Sequence, residues 1–161
     1  MFSERAHRMQ ARTWLLFFVV ALGFCFTSVA FCAQRTLSHD LETLLDAIAE
    51  IESKNRPDAV GDKGRAIGAY QIHRAYWKDG TRILGMRWSY REAFDPKKAR
   101  SVVRAYLLHY GKGRSLMDMA RIHNGGPKGY KKTSTLIYAR RIRSLLRRKG
   151  RIYHRLDLPS R

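Results

Sequence analysis

The 161-residue chain predicts a mainly helical α+β domain, and three observations carry that expectation. Apolar residues recur at helical spacing in several separate stretches. Helix-start signals, among them an Asp-Pro pair, stand directly ahead of two of them. One segment between them spaces glycines among β-branched and aromatic residues, as a short twisted hairpin does. With 45% hydrophobic residues there is too much core-forming material for a disordered basic protein. The length suits one domain rather than two.

The N-terminus comes first. No residue between Arg12 and Arg35 is charged, and Trp14 through Phe26 is almost wholly apolar. Arg5, Arg8 and Arg12 precede this run, and Ser28-Val29-Ala30 offers small residues of the kind a signal peptidase reads. Residues 1–30 therefore read as a cleaved export signal, or as an uncleaved anchor in which residues 13–34 span a bilayer as a helix. Both readings export the remainder, to the periplasm or the medium. Both cysteines, Cys25 and Cys32, fall in the N-terminal apolar stretch ahead of residue 41, so the folded part has neither a disulfide framework nor a thiol metal site. Residues 31–40 read as a linker, 41–150 as the folded domain and 151–161 as a basic tail.

Leu41, Leu44, Leu45, Ile48 and Ile51 form the apolar stripe of a helix over 41–53, behind the possible caps Ser38 and Asp40, and Asn55-Arg56-Pro57 ends it. Val60 to Ile72, with Gly61, Gly64 and Gly68, is the hairpin. Asp95-Pro96 is an N-cap with an N1 proline, opening a helix whose stripe Ala99, Val102, Val103, Tyr106, Leu107, Tyr110 stops at Gly111. Ser115 to Asp118 resembles a capping box with Asp in place of Glu, starting a short helix up to His123. Asn124-Gly125-Gly126-Pro127 then forces a turn. A last helix runs from near Ser134 through Tyr138, Ile142, Leu145 and Leu146 to Gly150.

Charge narrows the function classes. The chain carries 32 Lys+Arg against 13 Asp+Glu, a formal +19, and its last 22 residues from Arg140 supply +8 of it. Such an excess ordinarily suggests nucleic acid. Outside the cytoplasm, however, the abundant polyanions are wall and membrane-surface polymers, so nucleic acid is disfavoured as a partner and the C-terminal Arg cluster is expected to meet those polymers. His73, His109 and His123 show no ligand spacing, so no metal and no cofactor are expected. Tyr76-Trp77 suits either a sugar platform or the core.

Two carboxylates stand out. Glu52 continues the line Leu41, Leu45, Ile48 into the middle of the apolar stripe, whereas Glu50 lies on the polar face with Asp46. Desolvation and the negative end of the helix dipole both raise the pKa of a carboxyl at that position, which is what a general acid requires. The same placement also suits a frayed helix end from which Glu52 reaches water or an arginine. Asp62, ten residues on in Gly61-Asp62-Lys63-Gly64, is either an ordinary turn residue or a second carboxylate of the kind glycosidic hydrolysis uses.

Glu52-Ser53, Gly61-Asp62-Lys63-Gly64, Gly68-Ala69-Tyr70-Gln71-Ile72, Tyr76-Trp77-Lys78-Asp79 and Ala120 to Gly129 resemble, in order, the motifs of invertebrate-type (destabilase) lysozymes. The last of them is the most specific. The first three are also similar to goose-type lysozymes and lytic transglycosylase domains. The resemblance covers about Leu41 to Leu146 and implies a lysozyme-like fold with its hairpin beside the catalytic cleft. It further implies cleavage of the β-1,4 bond between N-acetylmuramic acid and N-acetylglucosamine in peptidoglycan, with Glu52 as acid and Asp62 as second carboxylate. Ser53, Tyr70 and Gln71 are implied in sugar binding, with His123, Asn124, Gly125 and Gly126 in the cleft wall and Tyr138 at its floor. The alternatives are a lytic transglycosylase, which works with the glutamate alone, and a non-catalytic basic protein that holds an anionic wall polymer. Invertebrate-type lysozymes are rich in disulfides. This domain has none, so its core must supply the stability.

Overall fold

The computed structural model describes residues 39–149, and they form the expected mainly helical α+β domain. The export segment, the two cysteines and the basic tail lie outside the described residues. Helix α1 covers 39–53, so the expected boundary between linker and domain at residue 40 falls inside it. Leu41, Leu44, Leu45 and Ile48 are buried as the stripe requires. The helix stops where Lys54 and Asn55 turn left-handed, and the Asn55 amide reaches back to the Ala49 carbonyl at 3.1 Å.

The expected hairpin is a three-stranded antiparallel sheet of two-residue strands: β1 (Val60–Gly61), β2 (Ala66–Ile67) and β3 (Ile72–His73), in that order. Val60 faces Ile67, and Ile67 faces Ile72 on its other side. Gly68 is obligatory in the connection between β2 and β3. Its φ is +77°, and a Cβ there would sit 2.1 Å from the Ala93 carbonyl oxygen.

Helix α2 (Arg74–Ile83) follows β3 without a break and has no counterpart in the sequence-based expectation. Its first turn has no side-chain cap, and Gly80 and Thr81 lie in its last turns, so its local signal is poor. Docking decides: Trp77 is buried and donates Nε1–H to the Trp88 carbonyl at 3.2 Å. Gly80 meets the next helix so closely that a Cβ would lie 2.6 Å from Val102 Cγ1. After a 3-10 turn at Tyr90–Phe94, α3 (Pro96–Tyr110) starts as expected, Asp95 Oδ1 accepting from the Lys97 and Lys98 amides at 2.8 and 3.1 Å.

Helix α4 (Leu116–Gly125) is capped by Ser115 Oγ, which accepts from the Asp118 amide at 3.1 Å. It runs two residues past His123 and ends at Gly126, where φ is +80°. Short 3-10 turns at Gly129–Lys131 and Thr133–Thr135 lead into α5 (Leu136–Arg148), which begins two residues later than expected. The core gathers Leu44, Leu45, Ile72, Val102, Leu107, Ile122, Ile142 and Leu146, drawn from α1, β3, α3, α4 and α5. No helix among the described residues is long and apolar enough to cross a membrane.

Candidate active site

Glu52 projects from the last turn of α1 into the core edge, its side chain only 20% exposed. Burial pushes its carboxyl above its ordinary pKa, and Tyr138 and the Arg141 guanidinium offset this in part. The Tyr138 hydroxyl is buried and makes no hydrogen bond of ordinary geometry, yet it lies close enough to Glu52 to favour the carboxylate. His123 brings Nε2 to 3.7 Å from Glu52 Oε1, and its Nδ1 lies 3.3 Å from the Tyr76 hydroxyl. Burial pushes the imidazole down to about 4, so at neutral pH it is uncharged and forms no ion pair with Glu52. The expected anomaly is therefore real: a carboxyl on the apolar stripe that is held towards its protonated form.

An aromatic row that sequence reasoning missed stands beside this carboxyl. The Tyr138 ring lies 6.4 Å from that of His123, His123 is edge-on to Tyr76 at 5.4 Å, and Tyr76 stacks on Tyr106 at 3.7 Å. Tyr106 had a visible place in the α3 stripe, but nothing local in the sequence showed which ring it meets. Trp77 belongs to the core, and Tyr76 belongs to the row.

Three residues expected to contact sugar also make hydrogen bonds within the domain. Ser53 is 6% exposed, and its hydroxyl donates to the Ala69 carbonyl at 2.8 Å and accepts from the Arg56 amide at 3.0 Å, tying the end of α1 to the segment after β2. Tyr70 is 3% exposed, and its hydroxyl accepts from Arg100 Nη1 at 3.1 Å. Arg100 also holds Glu42 and Asp46 of α1 at 2.7 Å each. Gln71 adopts φ +46°, which turns its carboxamide back so that Nε2 donates to the Gly68 and Ala59 carbonyls at 3.1 and 3.3 Å. Its Oε1 occupies the space a side chain at residue 61 would need, which explains Gly61.

Asp62 stands apart from Glu52's partners. It sits in a left-handed turn after β1, exposed, with Arg65 Nη2 at 2.7 Å and His73 Nε2 at 3.4 Å. At the end of α4, Asn124 is exposed, and Gly125 allows close approach, since a Cβ there would lie 2.6 Å from Thr135 Cγ2. Gly126 supplies the left-handed residue that ends the helix. Of the expected site residues, the fold thus gathers Glu52, His123 and Tyr138 at one place.

The Destabilase family model matches residues 41–145. A lysozyme of Magallana gigas is 33% identical over 138 residues, 80% of this chain and 91% of that protein. A lysozyme of Ostrea edulis is 43% identical over 81 residues, which is 47% of this chain and 58% of the Ostrea protein, little more than half its length. Among solved structures, a chain from the complex of Aeromonas hydrophila PliI with Meretrix lusoria lysozyme superposes with a TM-score of 0.57 at 30% identity, covering 68% of this chain and 93% of that one. Fold and family match define the class, the lysozyme-type glycosidases. Within it, the chain belongs to the destabilase family, that of the invertebrate-type lysozymes. Its membership without cysteines in the domain means that the scaffold does not depend on the disulfides typical of that branch.

Proposed function

We propose that the protein is an exported muramidase that hydrolyses the β-1,4 bond between N-acetylmuramic acid and N-acetylglucosamine, with Glu52 as its general acid. The observation that carries this reading is the half-buried Glu52 carboxyl, raised in pKa by desolvation and faced by the neutral His123. Protonated Glu52 gives its proton to the bridging oxygen as the C1–O bond breaks. Tyr138 and Arg141 stabilise the carboxylate left behind, and His123 packs against it without adding charge. Asp62, held by Arg65 and His73, supplies the second carboxylate towards the anomeric carbon or its water. Relatives named lysozyme support peptidoglycan as substrate, and residues 1–30 support export to the periplasm or the medium, as a cleaved signal or a retained anchor. The Arg cluster from Arg140 onward attracts anionic wall or membrane-surface polymers.

Zymography on peptidoglycan tests the acid. Wild type clears the gel, and Glu52→Gln lowers the rate by about 10²-fold or more, the size of a lost general acid. Clearing by the variant at the wild-type rate would sink the assignment. Mass spectrometry of the products then separates the rival reaction, since 1,6-anhydro ends would replace hydrolysis by lytic transglycosylation.

A further inference from the structure

A second cluster lies on the flank of α5, in a pocket between the start of α4 and α5 that includes Met117, Asp118, Arg121, Leu136, Arg140 and Arg143. Three guanidinium groups face one carboxylate there, and α5 itself, LIYARRIRSLLRR, has no acid along its length. Arg121 is fixed in place. Its Nε donates to Thr135 Oγ1 at 3.1 Å, Nη2 to the Lys132 carbonyl at 3.2 Å, and Nη1 lies 3.4 Å from Asp118, with the side chain 17% exposed. A guanidinium oriented in advance loses little freedom on meeting an anion. Met117 and Leu136 add an apolar wall beside it. Arg141, the neighbour of Arg140 on the helix, acts on the Glu52 carboxyl, so one helix carries the pocket on one side and borders the candidate active site on the other.

We propose that this pocket is an exosite for the carboxylates of the peptide stems borne by the glycan strand whose scissile bond lies at Glu52. The identity of the polymer rests on the muramidase reading. The pocket itself rests on its arginines. Passing around α5 means following about half its circumference, roughly 16 Å for a helix about 10 Å across. About five extended peptide residues cover that at about 3.3 Å each. A stem peptide of that length, bearing carboxylates beside small apolar side chains, matches both the reach and the mixed lining. The sugar ring alone supplies neither.

The test uses the full-length chain with Arg140→Gln and, separately, Arg143→Gln, each checked by thermal melting. Soluble stem-bearing glycan strands are offered untreated, after carbodiimide amidation of their carboxylates, and after hydrofluoric acid removal of phosphodiesters. Each substitution is expected to raise KM on untreated strands up to about fivefold, the scale of one partly exposed ion pair, with kcat unchanged. Amidation raises the wild-type KM by a similar factor and leaves the variant unmoved, because both remove the same contact. Phosphodiester removal, which acts on the general attraction of the whole Arg cluster, leaves the ratio of variant to wild-type KM unchanged. Independent, multiplying effects of amidation and substitution would overturn the proposal, as would a ratio that responds to phosphodiester removal and not to amidation. If wild type cleaves none of the strands, the muramidase reading fails by itself, and cosedimentation with the three preparations decides the pocket by the same comparison.

Discussion

Ser53→Ala separates two roles that the residue could have beside Glu52. The structure gives its hydroxyl a buried bond to the Ala69 carbonyl at 2.8 Å and a second from the Arg56 amide at 3.0 Å. The first loss leaves a buried acceptor short of a partner, worth about 1.5 kcal/mol. The second costs less, about 0.5 kcal/mol, because the Arg56 amide keeps a weak bond to the Ser53 carbonyl at 3.4 Å. A total near 2 kcal/mol lowers Tm by about 8 °C for a domain of this size. Because the clamp fixes the last turn of α1, kcat falls with it while KM changes little. Differential scanning calorimetry and peptidoglycan kinetics on the same preparations read both effects. A sugar-binding serine behaves in the opposite way, with unchanged Tm and a raised KM, and that result would refute the clamp.

Two further expectations follow from the packing and the titrating groups. His123 has its folded pKa near 4 against an ordinary 6.5, so the native state binds fewer protons than the unfolded chain between those values. Stability is then lost as pH falls from 6.5 towards 4, by about 3 kcal/mol. Glu52 is shifted upwards, so it acts oppositely: the native state loses stability as pH rises from the ordinary carboxyl value through the raised one. Melting curves against pH should therefore show Glu52→Gln gaining on wild type towards neutral pH and His123→Phe losing the acid-side slope. Parallel curves for all three proteins would contradict both assignments. Gly80→Ala tests the contact between α2 and α3. Helix propensity favours the alanine by up to about 1 kcal/mol, while the 2.6 Å approach to Val102 Cγ1 predicts a net loss of about 1–2 kcal/mol in urea unfolding. A stabilised variant would mean that the helices do not meet there.

Glu52 was legible because one carboxylate interrupts a stripe whose other members must be buried, so 3.6-residue periodicity alone revealed its environment. The starts of α3 and α4 were legible because Asp95 and Ser115 satisfy amides in their own first turns. Helix α2 was not, since its helicity comes from docking against α3 and from the burial of Trp77 rather than from any cap or local preference. The internal contacts of Ser53, Tyr70 and Gln71 were hidden for a related reason. Motif position fixes which residues are present, but the left-handed Gln71 and the distant Arg100 decide which way the side chains point. The partnership of His123 with Tyr76 and Glu52 needed the fold, because it joins residues from three helices.

The position of Glu52 on α1 also sets when its environment can form. Glu52 belongs to the first described helix, but the groups that surround it arrive late: His123 on α4, then Tyr138 and Arg141 on α5, with Lys149 Nζ paired to Glu50 across a separation of 99 residues. Until the last helix docks, Glu52 is an ordinary solvated carboxylate. A nascent or truncated chain that lacks α5 thus holds Glu52 without its raised pKa, and the proposed acid forms only when the fold is complete.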